Sequence, residues 1–140
     1  MAHDEQTVIK QQGIYRIIVT DTAGTYTEKN KNDVLIDGSH FGINSAEMAV
    51  KAGAQGRIGN DAGIGKNNAG IAGLKLLDQH GIPGAAVSAM SAKIGVGTST
   101  YESGKLSSVN EAAKKLGIKV GMTAKEAADI MFQALLKKAK

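Results

Sequence analysis

The chain has no cysteine and no tryptophan, one proline, and five aromatic residues among 140, three Tyr and two Phe. Without cysteine there is no disulfide framework, no zinc knuckle and no thiol nucleophile, and a cytoplasmic location is the default expectation. No uninterrupted apolar run reaches the length of about 18 residues that a membrane-spanning helix needs, so no membrane partner is expected. The start, Met1-Ala2-His3-Asp4-Glu5-Gln6, is polar and acidic, unlike a secretory signal. Arginine occurs only as Arg16 and Arg57. The guanidinium forks and aromatic platforms that read nucleic acid are therefore scarce, and no nucleic-acid partner is expected either. There is no low-complexity segment and no internal repeat of about 20–50 residues, which excludes a solenoid.

Charged residues make up 21% and apolar residues 42% of the chain. That is the balance of a folded globular domain and not of a disordered one. At 14.5 kDa, residues 1–140 are one domain. Glycine is abundant, 18 residues, nearly twice the usual share of about 7%. With no collagen-like period, each glycine must answer a local need. The formal charge of +4 lies at the carboxyl end, where residues 101–140 carry eight lysines against Glu102, Glu111, Glu126 and Asp129. A solvated, lysine-bearing helical face accounts for it.

Residues 7–20 hold two β-branched runs on either side of Gln11-Gln12-Gly13, the pattern of two strands joined by a tight turn. From residue 33 short β-type runs alternate with helical segments. Asp33–Ile36 predicts a strand. Asn44-Ser45-Ala46-Glu47 predicts a helix opened by a capping box, with Gly53 as its stop. Gly56–Gly59 predicts the next strand. A helix beginning near Asn67 or Asn68 carries Ile71, Leu74 and Leu77 and closes at His80-Gly81 before Pro83. Gly84–Ser88 predicts a third strand of this body. Ser108–Glu111 and Thr123–Glu126 predict two further capping boxes, the first leading to a helix through Leu116 and the second to the terminal helix, with Ile118–Val120 between them as a short strand. The terminal helix places Ala127, Ile130, Met131, Ala134 and Leu135 on one face. Phe132 and Leu136 lie off that stripe, the mark of a subunit interface added to a core. The fold class is thus α/β, a mostly parallel sheet with flanking helices over residues 33–140 and an amino-terminal β-hairpin region over residues 7–20.

In an open parallel sheet, ligands bind beyond the carboxyl ends of the strands. Three polar, glycine-rich loops should converge there: Asp37–Gly42, Asn60–Asn67 and Ser88–Gly104. The second resembles a phosphate loop but lacks the glycine expected at Asn60 and the Ser or Thr expected at Asn67, so it is no nucleotide-triphosphate loop. Its backbone N–H groups, beside Lys66, suit a carboxylate or phosphate. His40 is the proton-transfer candidate, with Asp61 or Asp37 to orient it. Ser91 with Lys93 is a candidate Ser–Lys pair. The predicted catalytic set is His40, Asp61, Lys66 and Ser91. The predicted ligand-binding set is Ser39, Asn60, Gly63, Gly65, Asn67, Lys93, Ser99, Thr100 and Glu102. His40, Asp37, Asp61 and Glu102 have no spacing that ties them to one metal, and no metal site is assigned. His80, in the last turn of a helix, and His3, in the terminal segment, are left outside the site.

Two stretches carry a family resemblance. Asn60-Asp61, Gly63, Ala69-Gly70, Leu77, Gly81-Ile82, Val87, Leu116-Gly-Ile-Lys-Val-Gly-Met122 and Glu126-Ala127 resemble the YunC-like proteins, a bacterial and archaeal family of unknown function. Segments at 38, 60 and 99 are similar to those of other unannotated bacterial proteins. The YunC-like resemblance implies an α/β body and an amino-terminal β region used for tetramer assembly. This chain departs from the family in its longer third loop, Ser91–Gly104. Together these readings predict a cytoplasmic homo-oligomeric enzyme, dimer or tetramer, acting on a small anionic metabolite by hydrolysis or proton-transfer isomerisation. The alternative is a ligand-binding or assembly protein without catalysis.

Overall fold

The two β-branched runs form a hairpin, β1 (Gln6–Gln12) antiparallel to β2 (Tyr15–Thr20), in the computed structural model, which describes residues 5–138. His3 lies outside the described residues. The sheet continues through β3 (Asp33–His40), β4 (Gly56–Asn60), β5 (Gly84–Val87) and β6 (Leu106–Val109), in the spatial order of the chain. β2 to β5 run parallel, and antiparallel pairs close both edges.

Sequential parallel strands joined by crossovers of one hand place their helices on one side. Accordingly α1 (Ile43–Ala52) and α2 (Gly73–Gln79) pack against each other on one face of the sheet. α3 (Gly97–Ser103) and α5 (Ala124–Lys138) cover the other. α4 (Glu111–Lys115) follows β6. Strand alternation sorts the core accordingly. Ile17, Val19, Val34, Ile36, Ile58, Ala85 and Val87 face α5, where they meet Ala124, Ala127, Ala128, Met131 and Phe132. Ile18 and Leu35 face α1, and Ala86 meets Phe41, Leu74 and Leu77.

Several expectations are corrected. α1 has no capping box: its N-cap is Gly42, and Ser45 turns its hydroxyl to the His40 carbonyl, 2.7 Å away. Gly53 does stop the helix, in a left-handed conformation. Asn67 and Asn68 do not open an α-helix; they sit left-handed inside a 3-10 stretch, Lys66–Ile71, that precedes α2. Ser108 is no cap but a strand residue paired with Ala86, and Asn110 caps α4 by accepting the Ala113 N–H at 2.9 Å. Residues 118–120 form no strand. The Thr123–Glu126 box is made as expected, from both sides. Phe132 is buried in the core, so it offers no surface to a neighbouring subunit. No helix among the described residues is long and apolar enough to cross a membrane.

Candidate functional site

The three segments meet at the carboxyl ends of the parallel strands and are stitched to one another, although Asp37–His40, expected as loop, belongs to β3 and Gly97–Ser103 to α3. The Gly38 N–H donates to the Asp21 carbonyl after β2, and Gly95 from the third loop donates to the Gly38 carbonyl at 2.7 Å. Asn60 donates its amide to the Ala92 carbonyl at 3.2 Å. Phe41 N–H is shared between the carbonyls of Asn60 and Gly70. Much of the polarity read from the sequence is consumed in these seams. The Asp61 carboxylate accepts from the N–H groups of Gly63 and Ala89, at 2.8 and 2.9 Å, and from the Ser107 hydroxyl at 2.6 Å. It fastens two loops and an edge strand.

That accounting separates the predicted catalytic residues. His40 is exposed, its ring folded against Gly42. It makes no hydrogen bond with Asp61, whose bonds all go elsewhere. The Ser91 hydroxyl donates to the Ser88 carbonyl at 2.8 Å and accepts the Lys105 N–H at 2.9 Å. Its proton is therefore directed away from any partnership with Lys93. Among the predicted ligand-binding residues, Ser39 accepts the Ala23 N–H at 3.0 Å, and Ser99 accepts the Lys93 N–H at 2.8 Å. Thr100 is wholly buried in α3. Glu102 pairs with Lys125 of α5 at 2.8 Å. Neither completes a pocket at the rim. Lys66 stays exposed and makes no ion pair with the described residues.

Lys66 stands on an unusual backbone. Ala62, Gly63, Ile64, Gly65, Asn67 and Asn68 all have positive φ, between 52° and 77°. A left-handed conformation is free for glycine but costs a non-glycine residue about 1 kcal/mol or more. The loop is closed by its own flanking residues. The Ile64 N–H donates to the Asp61 carbonyl, and Gly70 N–H donates to the Ile64 carbonyl at 2.7 Å. A Cβ on Gly70 would lie 2.0 Å from the Asp61 oxygen, so only glycine allows this closure. Lys66 and Asn67 open the 3-10 stretch, which supplies no acceptor for their N–H groups. Gly63 and Gly65 face open space. No three His, Cys, Asp or Glu side chains among the described residues gather as they would around a metal ion.

Beneath the rim lies a cluster that the sequence reading missed. Arg57, the second residue of β4, is the bulkiest wholly buried side chain among the described residues. Leu35 of β3 is its register partner, so Asp37 is the diagonal neighbour on the same face. The guanidinium clasps Asp37 with two bonds, Nε to Oδ2 at 2.8 Å and Nη2 to Oδ1 at 2.9 Å. Its Nη1 donates to the Ser45 hydroxyl at 2.9 Å, and its plane lies 4.2 Å from the Phe41 ring centre. Asp37 also accepts from the Ser39 N–H and the Tyr26 hydroxyl. Gly59 leaves the slot: a Cβ there would sit 2.9 Å from Nη2. Burial lowers the guanidinium pKa, but the Asp37 charge and hydrogen bonds outweigh it, and the group ends above its ordinary value. Burial first, and then the Asp37 charge, raise the Tyr26 hydroxyl well above the usual tyrosine range. An arginine inside a short strand expected between two others was the available signal, because a buried guanidinium requires a carboxylate nearby.

No protein-family model, curated protein or solved structure matches the chain.

Proposed function

We propose that this chain is a non-catalytic binding protein for a small carboxylate or phosphate, held at the rim by Lys66 and the N–H groups of Lys66 and Asn67, and that it acts as a homo-oligomer. The observation that carries the reading is the left-handed loop 62–68, in which Ala62 and Ile64 keep a costly conformation and the flanking Asp61 and Gly70 backbones close the turn. Strain retained in this way favours a functional role over a mere connection. Binding is favoured over catalysis because the acid–base pair is not made: Asp61 bonds elsewhere and the Ser91 proton is committed. The oligomeric part is supported by β1, an edge strand whose Val8 is 46% exposed, and by Ile14 in the turn at 63%. Such an edge invites pairing with another chain.

The test is a ¹H–¹⁵N titration with phosphate and with acetate at constant ionic strength. Amide shifts confined to residues 62–68, abolished in Lys66→Ala and retained in His40→Ala, are expected. Shifts spread over the lysine-rich carboxyl end, or none at all, refute the reading. A reaction rate that depends on His40 restores the enzymatic alternative.

A further inference from the structure

Two strands along the sheet from that loop, the connection between β2 and β3 and the side of α1 line an open cleft of about 470 Å³. That size falls within the range of about 300–1,000 Å³ usual for small-molecule sites. Its walls come from Tyr26, Thr27 and Glu28 on the connection and from Met48, Lys51 and Ala52 on α1. Tyr26 packs against Ile18, Leu35, Ala49 and Ala54, and its hydroxyl is tied to the buried Asp37. The aromatic wall is therefore fixed before any ligand arrives, which spares the ordering cost of binding. Met48, also in the lining, is 45% exposed, a flexible thioether suited to contacts with varied apolar shapes.

The lining carries one cation, Lys51, and one anion, Glu28. Neither makes an ion pair with a described residue. The buried Arg57 contributes no net field, since its charge is matched by Asp37. A simple anion would gain Lys51 but meet Glu28, and a simple cation would meet the reverse. A molecule with both charges gains both and is selected by that double requirement. We propose that this cleft binds a small zwitterion with an apolar side chain, the α-amino acid class. Its carboxylate meets Lys51, its ammonium meets Glu28, and its side chain lies between the Tyr26 ring and Met48. The site is separate from the anion loop and is independent of the reading given above.

L-Leucine is the probe, with leucinamide lacking the carboxylate and N-acetyl-leucine lacking the ammonium, each titrated by ¹H–¹⁵N NMR. At about 10 mM, ten times a millimolar Kd, leucine should shift the amides of Gly24, Thr27, Lys51 and Ala52. Each derivative should bind roughly fivefold weaker, the size of one partly exposed ion pair. Lys51→Ala should weaken leucine and leave leucinamide unchanged, and Glu28→Ala should do the converse with N-acetyl-leucine. Both side chains are exposed, so the fold survives these changes. Equal binding of all three probes, or no shift at the cleft, overturns the proposal. Leucine shifts confined to residues 62–68 also overturn it, while leaving the anion loop intact.

Discussion

Replacing Asp37 by Asn tests the buried cluster most directly. Asn has the shape of Asp but neither its charge nor its second acceptor. Its NH₂ must face either Nε of Arg57 with the Tyr26 hydroxyl, or Nη2 with the Ser39 N–H, and in both positions donor meets donor. The arginine meanwhile keeps a full charge at zero exposure. Breaking a buried pair by removing one partner costs about 3–5 kcal/mol. Against a total stability of about 5–15 kcal/mol for a domain, that leaves Asp37→Asn marginal. The melting temperature should fall by about 10–20 °C, at about 3–4 °C per kcal/mol for a chain of this size. The assay is urea unfolding followed by far-UV circular dichroism, since the chain has no tryptophan. The double variant Asp37→Leu with Arg57→Met removes the orphaned charge and should be more stable than Asp37→Asn alone. A loss below about 1 kcal/mol in the single variant, or a double variant no better than it, refutes the argument that burial makes this pair matter.

Two further outcomes follow from the same geometry. The Tyr26 hydroxyl has a folded pKa above its unfolded value of 10.0. Its contribution is therefore fully present below pH 10 and is lost as pH rises through the raised folded value. Urea midpoints measured from pH 9 upward should fall, and fall less steeply in Tyr26→Phe; equal slopes in the two proteins count against the buried hydroxyl. In Gly70→Ala the added methyl meets the Asp61 carbonyl oxygen at 2.0 Å, a backbone atom that cannot swing aside. A stability loss of about 2 kcal/mol should accompany loss of the anion shifts at residues 62–68. Unchanged shifts in that variant break the link between loop closure and binding.

What the sequence made legible was periodic. The β-branched runs at 7–20 and 33–36 and the capping box at Thr123 are local signals, and local geometry obeys them. Some misreadings arise where a tertiary contact overrides a local pattern. Asn44 and Glu47 fit a capping box, yet the N-cap of the helix is Gly42, and the neighbouring Ser45 gives its hydroxyl oxygen to buried Arg57, twelve residues away. Ser108 fits another, but pairing with Ala86 places it in the sheet and leaves Asn110 to cap. α3 was invisible for a related reason. It buries Gly97 and Thr100 instead of an apolar stripe, and a Cβ on Gly97 would lie 1.9 Å from the Thr20 carbonyl oxygen. Close approach of backbones holds it down, and hydrophobic periodicity does not record that contact.

The same close approach explains why so polar a rim yields so few reactive groups. A crevice at the ends of parallel strands is reactive when its loops stand apart and leave their side chains unsatisfied. Here small residues bring the loops together, and Asp61, Ser39, Asn60 and Ser91 satisfy backbone groups across the seams. A carboxylate that accepts two N–H bonds and a hydroxyl bond has little capacity left for orienting a histidine. Polar residues concentrated at one rim therefore have two physical readings, a site or a seam, which only the hydrogen-bond partners can separate. By that criterion Asp61 and Ser91 belong to the seam. Lys66, exposed on a left-handed loop and free of ion pairs with the described residues, is the residue on which the proposed anion site rests.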